Sequence, residues 1–322
     1  EAQRQVVVIT DGLIGFEREG RGKDAGLRTH MLIAFASCLF LLISQELAQL
    51  TFSGESEKRV DPLRLVEAVT AGVAFLSAGL IFSRNGTVKN VTTGASMWLA
   101  GAIGMACGAG QIGLAFVATV LAQTESVWTE IFAEQGQRYT PTTLVLYSAG
   151  TGSGCGFAEA TAGPFYCPPD RRIYLDMDFF RVMQQQLGAG GDFANAYVIA
   201  HEVAHHVQNL TGTLGEVNAQ RQRVGPRESN ALSVRIELQA DCYAGVWANR
   251  SKDEFALTDA DIREALNTAA RIGDDALQRA AGGRVVPDSF THGSSEQRQT
   301  WFFTGYRSGD PGACDTFAAR SL

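Results

Sequence analysis

Hydrophobic and polar positions divide the chain into two kinds of material. In the first third the apolar runs are long and charges are sparse. Met31 to Ser44, with its flanks, predicts one membrane helix, and Leu65 to Phe82 predicts a second, with Glu67 near its end. Ala95 to Ala122 is almost uncharged. Its length of about 28 residues makes roughly 42 Å of helix, too long for one straight crossing of ~30 Å. Gly101, Gly104, Gly108 and Gly110 in that run suggest a kink, close helix packing or a turn between two spans. Val6 to Phe16 suggests a further helix, weakened by Asp11. With no cleavable signal peptide and no initiating Met, it reads as cut short.

Beyond residue 122 the pattern becomes that of a globular domain. Thr143–Tyr147 and Arg172–Asp176 read as short strands. Asp192 to Leu210 reads as one helix, with Asp192 as N-cap after Gly190-Gly191 and Gly212 as its stop. A second helix is predicted from about Ser229 to Arg250, and a third begins at Thr258. Ser294-Ser295-Glu296-Gln297 is a capping box that opens a last helix running to Phe303, with Gly305 after it.

The candidate chemistry sits on the first of these helices, in His201-Glu202-Val203-Ala204-His205. Residues four apart share a helix face, so both imidazoles can reach one metal ion. Glu202 lies about 100° around the helix, where it can serve a metal-bound water as general base. This is the H-E-x-x-H zincin pattern of zinc-assisted peptide hydrolysis. The chain has five histidines, and His201, His205 and His206 fall within six positions. His206 points off the ligand face and reads as structural.

A catalytic zinc needs a third protein ligand and an open position. On the second helix, Glu237 and Asp241 share a face among the apolar Leu238, Ala240, Tyr243, Val246 and Trp247. Glu237 is expected to ligate, and Asp241 to accept the spare ring N–H of a ligand histidine and fix its tautomer. His292, just before the last helix, can donate to a tetrahedral oxyanion or make a structural bond in its loop. Tyr197 and Tyr243 are better explained by core packing than by oxyanion support.

Cys155, Cys167, Cys242 and Cys314 are an even number after residue 122. Cys155 and Cys167 flank a Gly/Pro-rich stretch and can close a loop, which leaves Cys242 to pair with Cys314. Such pairs imply an oxidising compartment; four free thiols or a soft-metal site are the alternatives, and the spacings fit no zinc-finger pattern. A net charge of -7, with no basic and aromatic residues interleaved, argues against nucleic acid as a partner.

Two family resemblances follow from longer stretches. Asp176–Phe180, Gly190–Ala194, Tyr197–Asn209, Glu237–Gly245 and His292–Arg298 closely resemble the bacterial putative neutral zinc metallopeptidase family, over about residues 116–317. That resemblance implies a membrane-anchored Glu-zincin with the same ligand set, and supplies no substrate. Gly12–Glu19, Gly22–His30 and Val91–Trp98 resemble the MgtC/SapB inner-membrane family, over about residues 5–122. That family is associated with adaptation to low magnesium. Its shortened first helix here puts independent function of this part in doubt. Glu17, Arg18, Glu19, Arg21, Lys23, Asp24 and Arg28 read as a charged cytoplasmic loop rather than an interfacial ion-pair cluster.

The expected architecture is therefore a multi-span α-helical membrane region, residues 1–122, followed by an α+β zincin-like catalytic domain, residues 123–322. One Zn2+ on His201, His205 and Glu237, with Glu202 as base, would hydrolyse a peptide or protein substrate at a bacterial inner membrane, the lipid bilayer being the other partner. In zincins an edge strand receives the substrate, and either predicted strand can serve. The alternative is a magnesium-linked membrane or transport protein with a regulatory zinc-binding domain. Arg84 and Lys89 place their loop in the cytoplasm. One kinked span over Ala95–Ala122 then puts the catalytic domain outside, as the cysteines favour, whereas two spans put it inside.

Overall fold

The structure is a computed structural model that describes residues 25–49, 61–84, 87–159, 163–176, 178–188, 191–255 and 257–322. The proposed helix at Val6–Phe16 and most of the charged cluster at 17–28 lie outside the described residues. The chain forms two compact units, residues 1–119 and 120–322.

In the first unit, helices α1 (Leu27–Gln49) and α2 (Pro62–Leu80) are followed by a hairpin of β1 (Phe82–Arg84) and β2 (Thr87–Lys89). Helix α3 (Val91–Gly108) and the start of α4 (Ile112–Glu134) complete it. Asp61 caps α2, accepting a hydrogen bond from the Leu63 amide at 3.1 Å, with Pro62 opening the helix. The uncharged run therefore does not form one kinked helix: α3 and α4 are separate, and Gly110 turns between them at φ 75°. Gly104 and Gly108 serve close packing, since a Cβ at Gly104 would overlap the Ala34 backbone and one at Gly108 would press on Cys38. The buried His30 links α1 to α3, with its ring nitrogens 3.0 Å from the Gly26 carbonyl and 2.9 Å from Ser96 Oγ. Among the described residues, Arg28–Ala48, Leu63–Leu80 and Ile112–Glu134 are helices long and apolar enough to cross a membrane. Leu32, Leu63 and Phe75 stand exposed on them, as lipid-facing side chains would.

In the second unit, β3 (Thr143–Tyr147), β6 (Phe165–Cys167) and β7 (Arg172–Asp176) form a sheet of order β3-β7-β6, and β4 (Gly150–Ser153) pairs with β5 (Gly156–Glu159) in a hairpin. β7 runs parallel to β3 and antiparallel to β6. Arg172–Asp176 is therefore the central strand. Both its edges are paired, so it cannot receive a substrate strand, contrary to one of the two expectations.

Helices α5 (Phe179–Leu187), α6 (Asp192–Leu210), α7 (Thr213–Arg221), α8 (Pro226–Arg250), α9 (Asp259–Arg271), α10 (Asp274–Ala280) and α11 (Ser295–Ser308) follow. Gly191, not Asp192, is the N-cap of α6, and Asp192 becomes the first helical residue, an acid in the first turn. The capping boxes at Thr258/Asp261 and Ser294/Gln297 form. α11 does not stop before Gly305 but runs to Ser308, capped by the left-handed Gly309. The reason is packing. α8 crosses α11 at Gly245 and Gly305, where a Cβ on Gly305 would overlap the Cys242 carbonyl and one on Gly245 the Phe302 carbonyl. Val203, Leu238, Ala244, Trp247 and Phe302 fill the core around that crossing, each fully buried.

Gly305→Ala is expected to destabilise this unit by ~1–3 kcal/mol through overpacking. Gly215→Ala, at a helical position with no heavy atom within 4 Å of the added Cβ, is expected to be neutral or stabilising. Thermal unfolding of the two variants checks the contrast, and equal melting temperatures would contradict the close crossing.

Candidate metal centre

Helix α6 carries His201, Glu202 and His205, and α8 carries Glu237 and Asp241. Both helices are buried along the contact, because apolar residues flank these groups on every side: Val198, Val203 and Ala204 on α6, Ile236, Leu238 and Ala240 on α8. His201 Nε2 stands 3.2 Å and His205 Nε2 3.6 Å from the Glu237 carboxylate. One ligand atom from each of His201, His205 and Glu237 lies within 4.8 Å of the others.

Both imidazoles are oriented from behind. His201 Nδ1 donates to Asp241 Oδ1 at 2.8 Å. His205 Nδ1 donates to Gln208 Oε1 at 2.9 Å. Each ring thus turns Nε2 toward Glu237, which is the orientation a metal ligand needs. Gln208 is itself fixed, donating to the Ile236 carbonyl at 2.8 Å and to Gln239 Oε1 at 3.0 Å.

Asp241 is fully buried and bound by three further donors. The Tyr197 hydroxyl donates to Oδ1 at 2.5 Å, Arg298 Nη2 to Oδ1 at 2.9 Å, and Arg298 Nε to Oδ2 at 2.8 Å. Arg298 and Gln208 were not assigned roles from sequence. Arg298 lies far from the motif in the chain, and only the crossing of α11 over α8 brings it in. Gln208 follows the motif by a helical turn, so an i,i+3 reading of α6 would have found it.

Charge in the site favours a cation. Burial would lower the His201 pKa, but the carboxylates of Asp241 and Glu237 raise it to about 10. His205 is likewise raised, Glu237 outweighing burial. Burial would raise the Glu237 carboxyl, yet the two histidines hold it well below the usual carboxylate range. Burial is overcome at Asp241 too, where Arg298 and His201 draw the pKa down to about 2. Two imidazoles and a carboxylate, converging in a place that already attracts protons, are a donor set that fits zinc.

These groups line a cavity of about 490 Å³, shared with Glu202 and His292. The Glu202 side chain is buried and makes no hydrogen bond to protein among the described residues. His292 Nδ1 lies 3.4 Å from Asp274 Oδ1, and Asp274 also accepts the amides of Thr291, His292 and Gly293, so the loop is held by one carboxylate. The His292 pKa is raised, first by that side-chain bond. His206 faces away: its Nε2 donates to the Thr140 carbonyl and its Nδ1 accepts from the Tyr166 hydroxyl. Tyr243 packs edge-on against Trp128. The thiols of Cys155 and Cys167, and of Cys242 and Cys314, lie at disulfide distance, with Cα separations of 5.8 and 5.6 Å.

Arg298→Met leaves the Asp241 charge buried without its guanidinium and is expected to cost about 3–5 kcal/mol of stability. Arg298→Lys should recover only part of this, since an ammonium cannot bond both oxygens side by side. Denaturant unfolding measures both, and a loss below ~1 kcal/mol for the Met variant would refute the assignment.

Residues 83–317 match the family described as putative neutral zinc metallopeptidase, and residues 6–132 match the MgtC family. The uncharacterized protein YpfJ of Escherichia coli K12 is 50% identical over 202 residues, covering 63% of this chain and 70% of its own length. The uncharacterized protein Rv2575 of Mycobacterium tuberculosis H37Rv is 49% identical over 195 residues, or 57% of this chain and 65% of its own. At the other end, the putative magnesium transporter YhiD of Escherichia coli K12 is 39% identical over 120 residues, 36% of this chain and 54% of its own. No solved structure matches. The MgtC match and the three long apolar helices mark a membrane protein. With most of its length matched, the chain belongs to the putative neutral zinc metallopeptidase family.

Proposed function

We propose that this protein is a membrane-anchored zinc metallopeptidase, with residues 1–122 as the MgtC-like membrane region and 123–322 as the catalytic domain. The observation that carries the reading is the convergence of His201, His205 and Glu237 beside an unpartnered Glu202 on one cavity. These three side chains would hold one zinc ion in a Glu-zincin arrangement. When bound, zinc acidifies water and polarises a carbonyl, the two activations amide hydrolysis needs. Glu202, with no donor among the described residues competing for its oxygens, takes the water proton and passes it to the leaving amine. His292, its Nδ1 engaged by Asp274, has Nε2 left to donate to the oxyanion.

The strand that would receive substrate is β6. It is a sheet edge, and Phe165 and Tyr166 line the cavity. An extended peptide pairing with it would lie across the site. The disulfide pairs support a catalytic domain outside the cytoplasm of a bacterial inner-membrane protein, which requires α4 but not α3 to cross the bilayer; of the two, only α4 is a candidate span by length and apolarity among the described residues.

Glu202→Gln is expected to retain one zinc and lose roughly 10²–10⁴-fold in peptide cleavage. Metal analysis and a mixed-peptide digest test this together, and full activity in that variant would sink the mechanism. Zinc loading near neutral pH should also expel protons, at least about one, because the neighbouring carboxylates raise the His201 pKa to about 10 in the metal-free site. Calorimetry in buffers of differing ionisation enthalpy reads that number, and zinc uptake with no proton release would contradict the charge state assigned here.

A further inference from the structure

The same cavity holds a cation that the hydrolytic mechanism does not use. Arg221, the last residue of α7, lines it together with Asn218 and with Ser233 of α8. The other charged groups on the wall are accounted for, Glu202 as the proposed base and the rest by protein partners. Arg298 is bonded to Asp241, His292 to Asp274, and Glu237 lies between His201 and His205. Arg221 is half-buried and makes no ion pair among the described residues. Its tethers are neutral: Nε donates to Ser229 Oγ at 3.3 Å and Nη1 to Asn218 Oδ1 at 3.4 Å. Nη2 has no protein partner among the described residues.

Two neutral bonds fix the guanidinium plane without spending its charge. Phe179, Leu214 and Ile236 line the same cavity, and Arg221 is half-buried in its wall, so the charge is screened less than one in open water. A guanidinium held with free N–H groups matches a planar carboxylate in geometry and sign. We infer that Arg221 is a specificity residue that receives a carboxylate of the peptide substrate, an inference that rests on the peptidase reading. Asp and Glu side chains carry that group, and so does the C-terminus of a peptide.

The test uses the full chain, zinc-loaded in detergent, and three versions of one peptide. The first has an internal Glu and an amidated C-terminus. The second has Gln at that position and a free C-terminus. The third has Gln and an amide, and so no carboxylate. Cleavage is read as kcat/KM by mass spectrometry, and binding by fluorescence anisotropy in the Glu202→Gln background. Wild type should favour the first or the second peptide over the third by about 10- to 100-fold. Whichever is favoured identifies the source of the carboxylate. Arg221→Ala should reduce that peptide to the level of the third while leaving the third unchanged, and Arg221→Lys should keep part of the preference.

Equal handling of the three peptides by wild type overturns the inference. So does an Arg221→Ala variant that loses all three equally with a lowered melting temperature, which would make Arg221 a cation closing the α7 C-terminus. If the Glu202→Gln protein binds the peptides in the expected order but wild type cleaves none, the peptidase reading fails and the carboxylate site stands. If it cleaves all three alike, the reverse holds.

Discussion

The Asp241 carboxylate is removed from solvent, yet it accepts bonds from three side chains on two other helices: His201 and Tyr197 of α6, and Arg298 of α11. An ionised carboxylate with no partners would not remain charged in such a place. Here the four donor atoms hold it ionised, and the carboxylate in turn fixes the angle at which α6 and α11 meet α8. A buried ion pair adds little stability over a hydrophobic replacement, but it tolerates only one register. That constraint sets the His201 ring, and through it the place where Glu237 and His205 can meet.

Holding this register requires helices at unusually short range. Gly245 and Gly305 let α8 and α11 approach until backbone touches backbone, which brings the Arg298 guanidinium to Asp241 rather than to solvent. At the middle of α8, Gln239 donates to the Cys314 carbonyl at 3.2 Å while accepting from Gln208. The Cys242–Cys314 pair holds that terminal segment against α8. The second ligand, His205, is therefore steadied through amides and a cross-link, where the first is steadied through charge.

Much of this was legible because it is local. His201, Glu202 and His205 are defined by helical spacing alone, and Glu237 and Asp241 by the same spacing on a second helix among apolar neighbours. The strands at 143–147 and 172–176, the helix start at Thr258 and the capping box at Ser294 were readable for the same reason. What pattern did not yield is long-range. β6 is three residues long, too short for alternation to register, although it forms the sheet edge on the cavity. Gly305 looked like a helix stop because glycine usually is one; its real role depends on a helix it meets only in three dimensions. The run from Ala95 to Ala122 offered several structures, and Gly110 at positive φ decides for two helices.

The two carboxylates that face the cavity differ in what surrounds them. Glu237 is bracketed by two imidazoles that hold it ionised and fix its oxygens, which suits a ligand and would cripple a base. Glu202, a neighbour of His201 in sequence, makes no such bond, so its lone pairs are available to an incoming water. The division of roles follows from helix geometry: Glu202 lies about 100° around α6 from His201, and it is bonded to neither Asp241 nor Arg298. Moving the base to a ligand position would place it in the same saturated network and remove its capacity to exchange a proton. A metal site of this kind works because one acid is committed to protein partners while the other accepts no hydrogen bond among the described residues.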